Sequence, residues 1–109
     1  MSKERGRCLI LTQLRHGNEA TFEEQEAEIR ELLSGYKFWI RKTGSKYDLI
    51  DYASGMPIVF GRKTVGECIK YCEDVYPRLE TTFKTGFYRS VVGLANEYRN
   101  DHDIPTYEL

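Results

Sequence analysis

Cys68 and Cys72 stand four residues apart, a separation that brings two side chains to one face of a helix. Two thiols so placed can ligate a metal or cycle as a redox pair. Ile69 and Val75 belong to the same stripe, however, free cysteine is among the most buried residue types, and no second ligand pair follows at zinc spacing. The pattern therefore predicts core packing and no metal. Asp48 and Asp51 lie in one extended run at odd spacing. They point to opposite faces, cannot form a carboxylate dyad within that strand, and are expected to face solvent or pair with a neighbouring Lys or Arg. His16 sits in an Arg-His-Gly loop and His102 in an Asp-His-Asp tail, both read as surface positions. Gly61-Arg62-Lys63-Thr64 would bring backbone amides and two cations to a helix start, but it lacks the glycines of a phosphate loop. Neither a nucleophile elbow nor a dinucleotide fingerprint occurs. The expectation is a non-enzymatic chain without cofactor.

The charged residues fall in blocks. Gly17–Ser34 holds six Glu against one Arg, whereas Gly35–Lys63 holds six basic residues against two acidic ones. The net charge of −1 thus conceals an acidic segment beside a basic one, and no global basic field for nucleic acid exists. Glu23, Glu24, Glu28 and Glu31 are the candidate partner-binding residues, through the charge complementarity that steers association. Lys37, Trp39, Arg41, Lys42, Lys46, Arg62 and Lys63 form the alternative set: a stacking ring among cations is what a nucleic-acid-binding sheet requires.

These residues need a scaffold, and the hydrophobic rhythm supplies one. At 109 residues, 40% hydrophobic and 30% charged, the chain is expected to be one α+β domain spanning residues 1–109, with residues 1–7 frayed and 100–109 a polar tail that is ordered only if Ile104, Tyr107 or Leu109 docks. Cys8–Leu14 reads as a buried strand or a short helix, which periodicity does not distinguish at this length. Thr21 and Glu24 form a capping box. Behind it Phe22, Ile29, Leu32 and Leu33 recur at helical spacing, and Gly35 supplies a stop. A helix is predicted there. Tyr36–Lys42, Tyr47–Tyr52 and Pro57–Gly61 read as three short antiparallel strands in a meander. Thr64 and Glu67 cap a second helix carrying Val65, Cys68, Ile69, Cys72, Val75, Tyr76 and Leu79, expected to end or kink near Tyr76 at Pro77. After Gly86 comes a last helix, about Phe87 to Arg99, with Phe87, Val91, Leu94, Ala95 and Tyr98 as its buried stripe. The predicted order is (β)αβββαα. No apolar run is long enough to span a bilayer, and three cysteines without a signal peptide point to free thiols in a cytoplasmic setting.

The segment YKFWIRKTGSKYDLIDYASGMPIVFGRKTVGECIKY, three strands then a helix, resembles in element order the arm-binding domains of tyrosine integrases and the plant domains that read DNA with a sheet. With the preceding helix it is similar to double-stranded-RNA-binding domains, although only Arg62, Lys63 and Lys70 stand near that family's phosphate clamp and its loop histidine is missing. A helix, three strands and two further helices also resembles small phage anti-CRISPR proteins, and the chain as a whole resembles the short accessory proteins of phages and other mobile elements. That likeness implies a protein–protein interaction module that inhibits a host nucleic-acid enzyme in the host cytoplasm. The Pro57–Gly61 edge strand would also offer a pairing ladder to a second copy, making a homodimer.

Overall fold

The computed structural model describes residues 4–16 and 18–108, with the order βββββαα. The five strands are β1 (Glu4–Arg15), β2 (Glu19–Glu31), β3 (Lys37–Thr43), β4 (Lys46–Asp51) and β5 (Pro57–Arg62), followed by α1 (Val65–Phe83) and α2 (Gly86–Asp101). The strands form one antiparallel sheet in sequential order. The α+β class and the β3–β4–β5 meander agree with the sequence reading; the strand count does not. Glu4–Arg7, expected to be frayed, begin β1. Residues 1–3 and 109 lie outside the described residues.

The largest departure is the segment expected to be an acidic helix. It is β2, laddered to β1 from Glu4↔Ile29 to Arg15↔Glu19 and to β3 from Glu28↔Ile40 to Glu31↔Lys37. The helix would have put Phe22, Ile29, Leu32 and Leu33 on one side. In the strand Phe22 is buried beneath α2, Ile29 turns to the opposite face, Leu32 packs near α1, and Leu33 protrudes fully exposed from the β2–β3 turn. Helix propensity is a weak local preference, worth tenths of a kcal/mol per residue. A partner strand on each side, with both faces partly buried, outweighs it.

Both helices cover the sheet face that carries Leu9, Phe22, Phe38, Ile40 and Leu49. Under α1 lie Phe38, Ile40, Leu49 and Tyr36, with Cys68 and Cys72 fully buried against them. Under α2 lie Leu9 and Phe22, against Ala95. The other face carries Cys8, Ile10, Ala27, Trp39 and Ile50, all buried without any helix residue in their cluster. The sheet achieves this by coiling upon itself. The Leu11 amide donates to the Gly55 carbonyl at 2.8 Å, so β1 meets the β4–β5 turn. Gly55 permits the approach: its φ is +77°, and a Cβ there would stand 2.8 Å from the Leu9 carbonyl oxygen. Burial of Asp48 through Asp51 on both faces explains why β4 lacks a clean alternation.

Two further expectations change. α1 does not end near Tyr76 but runs through Pro77 to Phe83, because Leu79 and Phe83 continue the apolar stripe of Tyr76 onto the cluster of Tyr36 and Phe38. The buried stripe of α2 is Tyr88, Val91, Val92, Ala95 and Arg99, while Phe87 is more than half exposed and Leu94 and Tyr98 are half-buried. The tail docks: Asn96 exchanges two hydrogen bonds with the Tyr107 backbone, at 2.7 and 2.9 Å, and the Tyr107 ring meets Tyr52 at 5.6 Å.

Candidate functional site

Successive residues of a strand face opposite ways, so the acidic set Glu23, Glu24, Glu28 and Glu31 is divided between the two faces of β2 instead of sharing one. Part of the acidic charge of β2 is answered by β1. Glu24 accepts from Arg7 Nε at 2.6 Å and from the Tyr98 hydroxyl at 2.8 Å; Tyr98 foremost, then Arg7, hold its carboxyl below the usual range against a smaller opposing effect of burial. Glu26 pairs with Arg5 at 2.9 Å. Glu28 is buried and lies 2.6 Å from Arg30. Glu23 and Glu31 stay exposed, with Glu31 opposite Lys37 in the ladder. The acidic block is thus neutralised in part by the arginines of β1 and by its own Arg30, while the basic block forms no ion pair with it among the described residues.

The alternative set is divided as well. Trp39 does share a strand face with Lys37 and Arg41, but the coil of the sheet encloses it at 6% exposure. It stacks on Tyr52 with ring centres 5.2 Å apart, and its tip lies over Gly6. A stacking platform for bases requires an open ring face, which this indole lacks. Lys37 stands over the Tyr52 ring at 5.8 Å. Arg41 is bound to Asp48 at 2.9 and 3.0 Å. Lys42, Lys46, Arg62 and Lys63 are left at one end of the sheet, where Thr43 faces Lys46 and Tyr47 faces Arg62. None of the four forms an ion pair among the described residues.

Two amides of the Gly61–Thr64 segment, those of Gly61 and Lys63, are already occupied by carboxylates. Asp48 accepts from the Gly61 amide at 3.0 Å, Glu67 accepts from the Lys63 amide at 2.9 Å, and the Thr64 hydroxyl accepts from the Glu67 amide at 3.1 Å. The capping box predicted at Thr64 thus sets the Glu67 carboxylate beside the Lys63 amide, a position an anion would have to contest. Asp48 also accepts from the Thr43 hydroxyl at 3.0 Å, fastening β3, β4 and β5 together. Burial alone would raise its pKa; the Gly61 amide, Arg41 and Thr43 outweigh that and lower it. Cys68 and Cys72 pack as core, and burial pushes the Cys72 thiol up to about 12. His102 stacks on Tyr98 at 3.8 Å, and His16 lies exposed after β1.

A groove of about 330 Å³ opens between the start of β2 and the last turns of α2. Ala20, Phe22, Leu94 and Tyr98 supply its apolar side chains, and Glu19, Glu97 and Asp101 add carboxylates. None of these three acids is ion-paired among the described residues. The α2 contribution is legible in sequence, because Leu94, Glu97, Tyr98 and Asp101 follow helical spacing. Its strand partner is not, since the segment from Thr21 onward, Phe22 included, carries the pattern of a helix. Comparison with protein-family models, curated proteins and solved structures returns no match to this chain.

Proposed function

We propose that this chain is a non-enzymatic protein-binding module, which docks a basic segment of a nucleic-acid-handling enzyme in the β2–α2 groove and so competes with that enzyme's nucleic acid. The observation that carries the reading is the combination of an apolar floor, Phe22, Leu94 and Tyr98, with three carboxylates, Glu19, Glu97 and Asp101, that form no ion pair among the described residues. Desolvating the floor would supply affinity, and the carboxylates would steer and orient a cationic partner. Of the acidic residues first singled out, Glu24 is committed to Arg7 and Tyr98 and Glu28 is buried. That shifts the reading from the four strand glutamates to the rim acids.

The test is fluorescence anisotropy with labelled basic peptides, one amphipathic with interspersed Leu and one of equal charge without apolar residues. The amphipathic peptide should bind, weakening as salt rises from about 0.02 to about 0.3 M. The combined variant Glu19→Gln, Glu97→Gln, Asp101→Asn should weaken binding at least about tenfold. Equal affinity for the two peptides, or for wild type and variant, refutes the groove.

The four cations Lys42, Lys46, Arg62 and Lys63 support a second reading, weak sequence-independent binding of single-stranded nucleic acid at the opposite charge. Four phosphate contacts would give a log–log salt slope of about −3. Undetectable binding of DNA and RNA oligonucleotides at low salt removes it.

A further inference from the structure

The β4–β5 turn, the β2–β3 turn, the C-terminal half of α1, the first turn of α2 and the tail converge on a cavity of about 250 Å³. Five aromatic residues line it, Tyr36, Tyr76, Phe83, Tyr88 and Tyr107, together with the carboxylate residue Asp51. Asp51 is 1% exposed. Its Oδ2 accepts from the Ser54 amide at 3.0 Å, the Ser54 hydroxyl at 2.6 Å and the Tyr88 hydroxyl at 2.8 Å. Those bonds anchor the turn, yet all three donors are neutral. Among the described residues no Lys, Arg or His stands within ion-pair distance of it. Lys37 borders the cavity, but its ammonium lies over Tyr52. The field of Arg99 reaches Asp51, while its guanidinium is bonded to Asn96 and the Tyr52 carbonyl. Buried carboxylates are ordinarily paired with a cation; this one is not.

A second anomaly lies in the same wall. Tyr36 is 8% exposed, and its buried hydroxyl approaches the Asp51 carboxylate without completing a hydrogen bond of good geometry to it or to any other described group. A buried unsatisfied hydroxyl is costly to the fold, and such groups in native structures call for an explanation. Burial first, and the adjacent Asp51 charge second, raise Tyr36 and Tyr88 above the ordinary tyrosine range, so both stay protonated and neutral.

We propose that this cavity binds a small protonated amine, whose ammonium N–H groups donate to the Asp51 carboxylate and the Tyr36 hydroxyl oxygen while its body lies among the aromatic rings. The charge supplies the missing counter-ion, the N–H the missing partner, and the ring faces attract a cation. The volume admits about eight non-hydrogen atoms at about 30 Å³ each, the share of a liquid water. A quaternary ammonium has the charge without the N–H and leaves Tyr36 unsatisfied. The cavity shares no lining residue with the β2–α2 groove, so failure of either proposal leaves the other standing.

The test titrates methylammonium, butylammonium and 2-phenylethylammonium, each against its neutral alcohol, together with tetramethylammonium, following backbone amide chemical shifts. At least one primary ammonium should bind with a Kd of about 1 mM or tighter, shift the Ser54, Tyr36 and Tyr88 amides, and exceed its alcohol and tetramethylammonium at least about tenfold. Asp51→Asn should abolish binding. Because that change also touches the Ser54 and Tyr88 bonds, Tyr36→Phe is the decisive variant. It removes a hydroxyl that completes no hydrogen bond of good geometry, so its unliganded melting temperature should equal or exceed wild type while amine affinity falls at least about fivefold. The proposal is overturned if no primary ammonium shifts those amides, if an alcohol binds equally, or if Tyr36→Phe keeps full affinity.

Discussion

Replacing Gly55 by Ala tests the coiling that encloses the Trp39 face. Two costs combine at this position. With φ at +77°, an L side chain costs about 1–2 kcal/mol. The added Cβ would also lie 2.8 Å from the Leu9 carbonyl oxygen and 3.1 Å from the Leu11 amide nitrogen. Both are backbone atoms of β1, which can yield only by moving the strand, and that movement breaks the Leu11–Gly55 hydrogen bond, a further loss of about 1 kcal/mol. The sum is about 3 kcal/mol. Gly44→Ala is the matched control: its φ is +62° and nothing lies within 4 Å of its Cβ, so only the backbone cost of about 1–2 kcal/mol applies. Urea unfolding of both variants with a common m-value measures the difference. Gly55→Ala should melt well below Gly44→Ala, by roughly 4–8 °C per kcal/mol of extra cost. Equal stabilities would mean that β1 does not close on the β4–β5 turn, and the account of the enclosed face would fall with it.

Trp39, the sole tryptophan, should emit as a buried indole and resist acrylamide, with quenching rising to that of a free indole only on unfolding; native quenching at that level would contradict its enclosure. Asp48→Asn should cost about 2 kcal/mol at neutral pH through its bonds to Arg41, Thr43 and Gly61. Because the folded pKa of Asp48 is lowered, its stabilisation is present above the unfolded value of about 3.9 and is lost as pH falls through the folded one. The urea midpoints of wild type and variant should therefore converge in acid, and a constant gap would count against the assignment. Burial pushes the Cys8 and Cys72 thiols up to about 12 and raises Cys68, so an aromatic disulfide reagent at about pH 8 should label none of the three in the native state and all three in urea; rapid native labelling would disprove their burial.

The parts legible in sequence are those in which local chemistry and burial agree. Gly44 turns the β3–β4 hairpin in the gap between the Tyr36–Lys42 and Tyr47–Tyr52 runs, Tyr36, Phe38 and Ile40 share the face under α1, and Thr64 with Glu67 caps that helix. Cys68 and Cys72 fall in the core stripe on the same grounds. Misreadings arise where a distant partner decides. Thr21–Leu33 has the cap, the glutamates and a plausible apolar stripe of a helix, yet it pairs with β1 and β3. Strand alternation places Trp39 on the face of Lys37 and Arg41, but what covers that face includes the added strand β1, whose Gly6 lies under the indole tip. The β2–α2 groove was invisible for a related reason, since its acids Glu19, Glu97 and Asp101 come from segments far apart in sequence.

By itself, then, the sequence determined the α+β class, the β3–β5 meander, the two C-terminal helices and the residues beneath α1, because side-chain periodicity and capping act within a few neighbouring positions. The tertiary structure alone decided that the acidic segment is a strand, that the tryptophan is enclosed, and that Asp51 and Tyr36 share a buried wall. Each of those outcomes depends on contacts between segments distant in sequence, whose pairing and burial override local preference and leave no trace in local spacing.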